Sequence, residues 1–172
     1  PPDSRGRCRE YFVCMSETTV KTATVHGRSI SYVEAGEGPV LLLIHGIARS
    51  LEDWTEAQDL LAAAGHRVIS TDLPGFGFSR KGRERPGLPA FGRAMAGLLD
   101  AVGVGQPAHV MGNSLGGGVS MTLAVDHPGR VASLTLVNSV GFGSDQHVSL
   151  APMAYAALAG LPGLESTFRP RA

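Results

Sequence analysis

Cysteine is nearly absent: Cys8 and Cys14 are the only two in 172 residues, and both fall in the opening stretch. Two thiols support neither a disulfide framework nor a four-ligand zinc site, so a reducing compartment is expected. An excess of either charge is also lacking, because fifteen Lys and Arg stand against fifteen Asp and Glu, for a formal net charge of zero. Without that electrostatic footprint neither nucleic acid nor an anionic membrane is an expected partner; a small molecule is. Long apolar runs are missing too. The longest uncharged run, 148–164, is broken by Pro152, Pro162 and two glycines and falls short of a spanning length, so a buried or lid helix is expected there. No apolar secretory core follows Met15, and cytoplasm is the default expectation.

What is present narrows the class. At 43% hydrophobic and 17% charged, the chain has the composition of one globular domain, and disorder, collagen and coiled coil are excluded. The 23 glycines and 11 prolines are too many for a helical bundle and suit repeated strand-to-helix turns. Residues 1–17, with Arg5, Arg7 and Arg9 and no periodicity, read as a non-native or disordered leader, with translation expected to start at Met15.

Strands and helices alternate along the rest. Val20 to Val25 and Ser29 to Glu34 alternate in polarity around His26-Gly27-Arg28, as in an antiparallel hairpin at a sheet edge. Val40 to Ile44 is solidly apolar, which suits a strand covered on both faces. Leu51 to Ala64 reads as a helix with Leu60, Leu61 and Ala64 on its inner side, and Arg67 to Thr71 as a strand closing in Asp72-Leu73-Pro74-Gly75. Helix over Pro89 to Val102, strand over Ala108 to Met111, helix over Ser114 to Asp126 and strand over Val131 to Val137 follow. This order predicts an α/β fold, a mostly parallel sheet with helices on both faces.

The chemistry concentrates at Gly112-Asn113-Ser114-Leu115-Gly116, a G-x-S-x-G pattern set between a strand and a helix. A serine at so sharp a turn takes a strained backbone, and glycine at 112 and 116 removes side chains that would collide with each other. The Ser114 hydroxyl is thereby pushed out above the sheet, beside helix-start N–H groups that favour negative charge on a substrate carbonyl.

Together with His45-Gly46, Ser50 and Trp54, Asp72-Leu73-Pro74-Gly75-Phe76-Gly77-Phe78-Ser79 and His127-Pro128-Gly129-Arg130-Val131, this pattern resembles the serine-nucleophile branch of the α/β-hydrolase superfamily over residues 20 to 145. The resemblance implies a hydrolase of small esters or amides, lactones or carbon–carbon bonds. It also implies Ser114 as nucleophile and the N–H groups of Ile47 and Leu115 as oxyanion donors. No metal or organic cofactor is expected, because no His/Cys/carboxylate cluster has ligand spacing and no dinucleotide fingerprint follows a strand. Serine at this place argues against dehalogenases and epoxide hydrolases, which use a carboxylate. His45 is expected to pack and hydrogen-bond locally rather than carry protons. Asp72 to Ser79 is read as a turn near the pocket, for it lacks the Lys-Ser/Thr pair and the following helix of a phosphate loop. Arg80 to Arg85 is read as a solvated loop, and Trp54 as core.

A serine needs a base, and the base an acid; in this superfamily they follow in the order Ser, acid, His. After Ser114 only His127 and His147 occur. His127 lies at the far end of the helix, about 20 Å away at 1.5 Å per residue. His147 does not follow a final strand. At the position where some relatives carry the acid stands Asn138, and Asp145 reads as a loop residue. The triad acid and base are therefore expected to be missing, with 18–145 the N-terminal part of the core and 146–172 the truncated start of a lid. This fragment of an enzyme would be inactive alone and prone to self-association through the bare edge of its last strand. The competing reading is a non-catalytic module of the same fold that binds a ligand or protein.

Overall fold

The hairpin forms where the sequence places it because His26 (φ 48°) and Gly27 (φ 75°) both adopt the left-handed backbone that a two-residue turn of this twist requires. In this computed structural model residues 19–80 and 86–141 are described, and those up to Val140 belong to one compact unit. The turn joins β1 (Lys21–Val25) to β2 (Arg28–Ala35), paired antiparallel with Val25 opposite Arg28. Beyond them come β3 (Val40–Ile44), β4 (Arg67–Thr71), β5 (Ala108–Asn113) and β6 (Val131–Val137). The sheet order is β1-β2-β4-β3-β5-β6. β2 meets β4 antiparallel, whereas β4, β3, β5 and β6 run parallel. Val40 to Ile44 is apolar throughout because β3 lies inside the sheet and is covered on both faces.

Helices α1 (Thr55–Ala63), α2 (Leu88–Ala101) and α3 (Leu115–Asp126) complete the layers. Leu42, Ile44, Ile69 and Val110 face α2 and α3, whose Phe91, Met95, Leu98, Leu99, Val119 and Leu123 form the larger core. On the opposite face Leu41, Leu43 and Val68 pack with Trp54 and with Ala57, Leu61 and Ala62. The expected α/β architecture with helices on both faces is what forms.

The helix expected over Leu51 to Ala64 differs in one respect. It opens as a 3-10 turn, Leu51–Trp54, capped by the Ser50 hydroxyl, which accepts from the Glu52 N–H at 3.3 Å. A 3-10 turn advances the side chains further per residue than an α-helix, so the inner face shifts. Leu60 and Ala64 point to solvent, while Leu61 packs inward as expected. Gln58 is buried instead, accepting from the Ser70 hydroxyl of β4 at 2.6 Å.

At the other edge, β6 has β5 as its one strand neighbour among the described residues. Leu134 and Val137 are exposed there. No helix of the described residues is long and apolar enough to cross a membrane. Residues 1–18, 81–85 and 142–172, with them Cys8, Cys14, Asp145, His147 and the 148–164 run, lie outside the described residues.

Candidate active site

Three strands that run in the same direction end side by side, since Ile44 of β3 pairs with Thr71 of β4 and with Gly112 of β5. Their C-terminal ends deliver His45-Gly46-Ile47, Asp72 and Ser114 to one rim of the sheet, where open α/β sheets place their ligands.

Ser114 sits between β5 and α3 at φ 50°, ψ −112°, a conformation that costs a non-glycine residue on the order of 1–3 kcal/mol. It is partly exposed. Its N–H donates to the Val137 carbonyl at 3.0 Å, and its carbonyl accepts from Gly117 at 3.1 Å, Gly118 at 3.3 Å and Val140 at 3.1 Å. A side chain on Gly112 would run into the Gly116 carbonyl and the Ser120 hydroxyl. One on Gly116 would strike the carbonyls of Ile44 and His45. Both glycines are thus required, but for different reasons: Gly112 admits the first turn of α3, and Gly116 lets that turn lie on the end of β3.

Beside Ser114 opens a cavity of about 420 Å³ lined by Gly46, Ile47, Trp54, Asn113 and Val137, with Arg49 and Asp53 at its side. Leu115 is the first residue of α3, so its N–H has no acceptor within the helix. Ile47 follows a peptide whose orientation is fixed. His45 is fully buried; the Leu73 N–H donates to its Nε2 at 3.0 Å, which leaves the proton on Nδ1 to donate to the Gly46 carbonyl at 2.7 Å. The Gly46 carbonyl and the Ile47 N–H share one planar trans peptide, so this bond turns the Ile47 N–H away from the ring. Burial pushes the His45 pKa down, which keeps the imidazole neutral. With both ring nitrogens occupied, His45 is the local packing residue that its motif implies; it also meets Phe76 edge-on at 5.6 Å.

Asp72 ties the rim together. Its fully buried carboxylate accepts the Leu51 N–H at 2.7 Å through one oxygen and the Phe78 N–H at 2.8 Å through the other. Gly77 (φ 49°) leaves room for it, since any side chain there would enter the carboxylate. Ser79 donates to the Asp72 carbonyl at 2.9 Å and accepts the Ser31 N–H at 2.8 Å. The 72–79 segment is accordingly a turn braced against the rim, as the sequence suggests. Of the basic run only Arg80 is described; its N–H donates to the Ser29 carbonyl at 3.2 Å.

Trp54 packs in the core against Leu41, Leu43 and Val68, yet it also lines the cavity. Asn113, Arg49 and Asp53 border the site without having been singled out from sequence. Arg49 and Asp53 form a two-pronged ion pair at 2.6 and 2.9 Å; their i, i+4 spacing was the available signal. His127 ends α3, thirteen positions from Ser114. Asn138 is exposed and left-handed (φ 46°) just after β6. Among the described residues no histidine hydrogen-bonds Ser114, and no three His, Cys, Asp or Glu gather as metal ligands.

A family model described as the alpha/beta hydrolase fold matches residues 39–172. The chain belongs to that family. It is 41% identical over 122 residues to the dihydrolipoyllysine-residue acetyltransferase component of the acetoin cleaving system of Cupriavidus necator, covering 70% of this chain and 32% of that protein. It is 33% identical over 147 residues to 2-hydroxy-6-oxo-6-phenylhexa-2,4-dienoate hydrolase of Comamonas testosteroni, covering 83% of this chain and 49% of the relative. Among solved structures, the meta-cleavage product hydrolase of Pseudomonas fluorescens IP01 superposes with a TM-score of 0.68 at 28% identity, covering 73% of this chain and 47% of that one. The chain thus spans about a third to a half of the length of the curated relatives it matches.

Proposed function

We propose that this chain carries the nucleophile half of a serine hydrolase. In this reading the Ser114 oxygen attacks the carbonyl of a small ester, lactone or carbon–carbon bond substrate. Collapse of the tetrahedral adduct breaks the bond to the alcohol or carbon leaving group, which departs with a proton; water then cleaves the acyl–Ser114 ester, freeing the acid and restoring the serine. The N–H groups of Leu115 and Ile47 receive the negative charge on the carbonyl oxygen, a kind of stabilisation worth about 3–4 kcal/mol per donor in other enzymes. One observation carries the reading: a partly exposed serine held at φ 50° on a strand-to-helix corner that opens on the same cavity as Ile47. Family membership and the hydrolase relatives support the reaction class.

The base that takes the Ser114 proton, and the acid that orients it, come from outside residues 19–141. Among the described residues His127 cannot be that base, because it is held at the far end of α3. A cytoplasmic setting, the default expectation where no apolar secretory core follows Met15, is part of the proposal. The test is hydrolysis of an activated ester by the protein translated from its complete reading frame, compared with Ser114→Ala. Activity lost in the variant supports the reading; equal activity in both overturns it.

A further inference from the structure

The corner that bears Ser114 is held from outside its own strand and helix. Its N–H goes to the Val137 carbonyl and its carbonyl takes the Val140 N–H, at 3.0 and 3.1 Å, so both peptides flanking the strained residue are fastened to one four-residue turn. The Asn113 side chain adds a third bond to the Val137 carbonyl at 3.2 Å. Between those anchor points the chain reverses through Asn138 at φ 46°, where asparagine is tolerated and β-branched residues are not.

The first turn of α3 is shaped to receive this segment. A side chain on Gly117 would occupy the place of the Ser139 side chain, and one on Gly118 would meet Val140 Cγ2 at 2.8 Å. Glycine is a poor helix former, so two in succession at 117 and 118 cost about 2 kcal/mol of helix propensity relative to alanine. The close approach of residues 139 and 140 is what they allow. A positive-φ serine persists only if its surroundings over-determine it, and here the surroundings are this turn.

We infer that residues 137–140 form a clamp that holds Ser114 in its strained conformation, with Asn138 as the positioning residue that sets the clamp's geometry. Its consequence for catalysis rests on Ser114 being the nucleophile proposed above; the clamp itself rests on the hydrogen bonds to Val137 and Val140 and on the packing of residues 139 and 140 against α3. Asn138 is exposed and is not one of the residues that line the cavity.

Amide hydrogen exchange followed by NMR tests it. In Asn138→Val the amides of Ser114 and Val140 should exchange roughly tenfold faster than in the parent, while those of Leu42 and Leu43 in β3 stay unchanged. Asn138→Gly, which accepts the same φ, should keep both amides within about threefold of the parent. Gly117→Ala should free Val140 in the same manner as Asn138→Val and decides the matter if the valine variant does not fold. Unchanged exchange at Ser114 and Val140 in the valine and alanine variants would overturn the clamp, as would acceleration spread equally to Leu42 and Leu43. In the complete-reading-frame protein, labelling of Ser114 by a fluorophosphonate should slow in Asn138→Val and recover in Asn138→Gly. If Ser114 takes no label in any of these proteins, the proposed reaction fails while the exchange rates still decide on the clamp.

Discussion

Replacing Asp72 by alanine removes a carboxylate that joins two loops at the rim of the sheet. Two backbone donors lose their acceptor, the Leu51 N–H at 2.7 Å and the Phe78 N–H at 2.8 Å, with Asp72 itself fully buried. An orphaned buried donor costs about 1–3 kcal/mol, so two give roughly 2–6 kcal/mol. Relief from burying a charge offsets part of this, and the expected net loss is about 3 kcal/mol. Asp72→Asn keeps one acceptor oxygen but turns an NH₂ towards the other donor, and should lose about 2 kcal/mol. Urea unfolding followed by circular dichroism measures both, with a fall in midpoint at constant slope as the expected form; in a scan the alanine variant should melt about 10 °C lower. A loss below about 1 kcal/mol for alanine, or none for asparagine, would refute the view that this carboxylate ties the loops.

Three other outcomes follow from the same packing. Gly112→Ala, which drives a methyl group into the Gly116 carbonyl and the Ser120 hydroxyl, should destabilise by about 1–3 kcal/mol in urea, whereas Gly105→Ala, with open space around it, should stay within about 0.5 kcal/mol. Burial lowers the His45 pKa from its ordinary value of 6.5, while Asp72, Asp53 and Arg49 act on it from nearby. The unfolded chain therefore binds the extra proton first: the His45 contribution is whole above pH 6.5 and is lost as pH falls below that value through the folded-state pKa. Urea titrations at pH 8 and 5.5 should show a smaller fall for His45→Gln than for the parent; equal falls would contradict the assignment. We also propose self-association through β6, which has β5 as its one strand neighbour among the described residues: sedimentation should show concentration-dependent association weakened by Leu134→Lys, and a monomer at all concentrations would argue against an adhesive edge.

Strand boundaries were legible where an apolar run stopped at a turn signal, and β3, β4 and β6 begin and end as read. The Ser114 corner was legible because glycine at 112 and 116 marks a local steric need that the serine and its neighbours impose. The reason for Gly116 was not, since the atoms it avoids belong to Ile44 and His45, seventy residues earlier in the chain. The inner face of α1 was misread because a four-residue 3-10 turn precedes it and carries no periodicity of its own. In the sequence Asn138 marks only a place where some relatives carry an acid. Its backbone role depends on β6 lying against β5, a tertiary fact that no local pattern encodes. Asp72 looked like turn chemistry and is that, but its grip on Leu51 twenty-one residues away appears only in three dimensions.

The most direct measurement is intact-mass and peptide analysis of the complete-reading-frame protein after exposure to a fluorophosphonate. One adduct on Ser114, absent from Ser114→Ala, is the predicted result. A folded protein that takes no adduct, or takes it at another residue, would contradict the assignment of Ser114 as nucleophile.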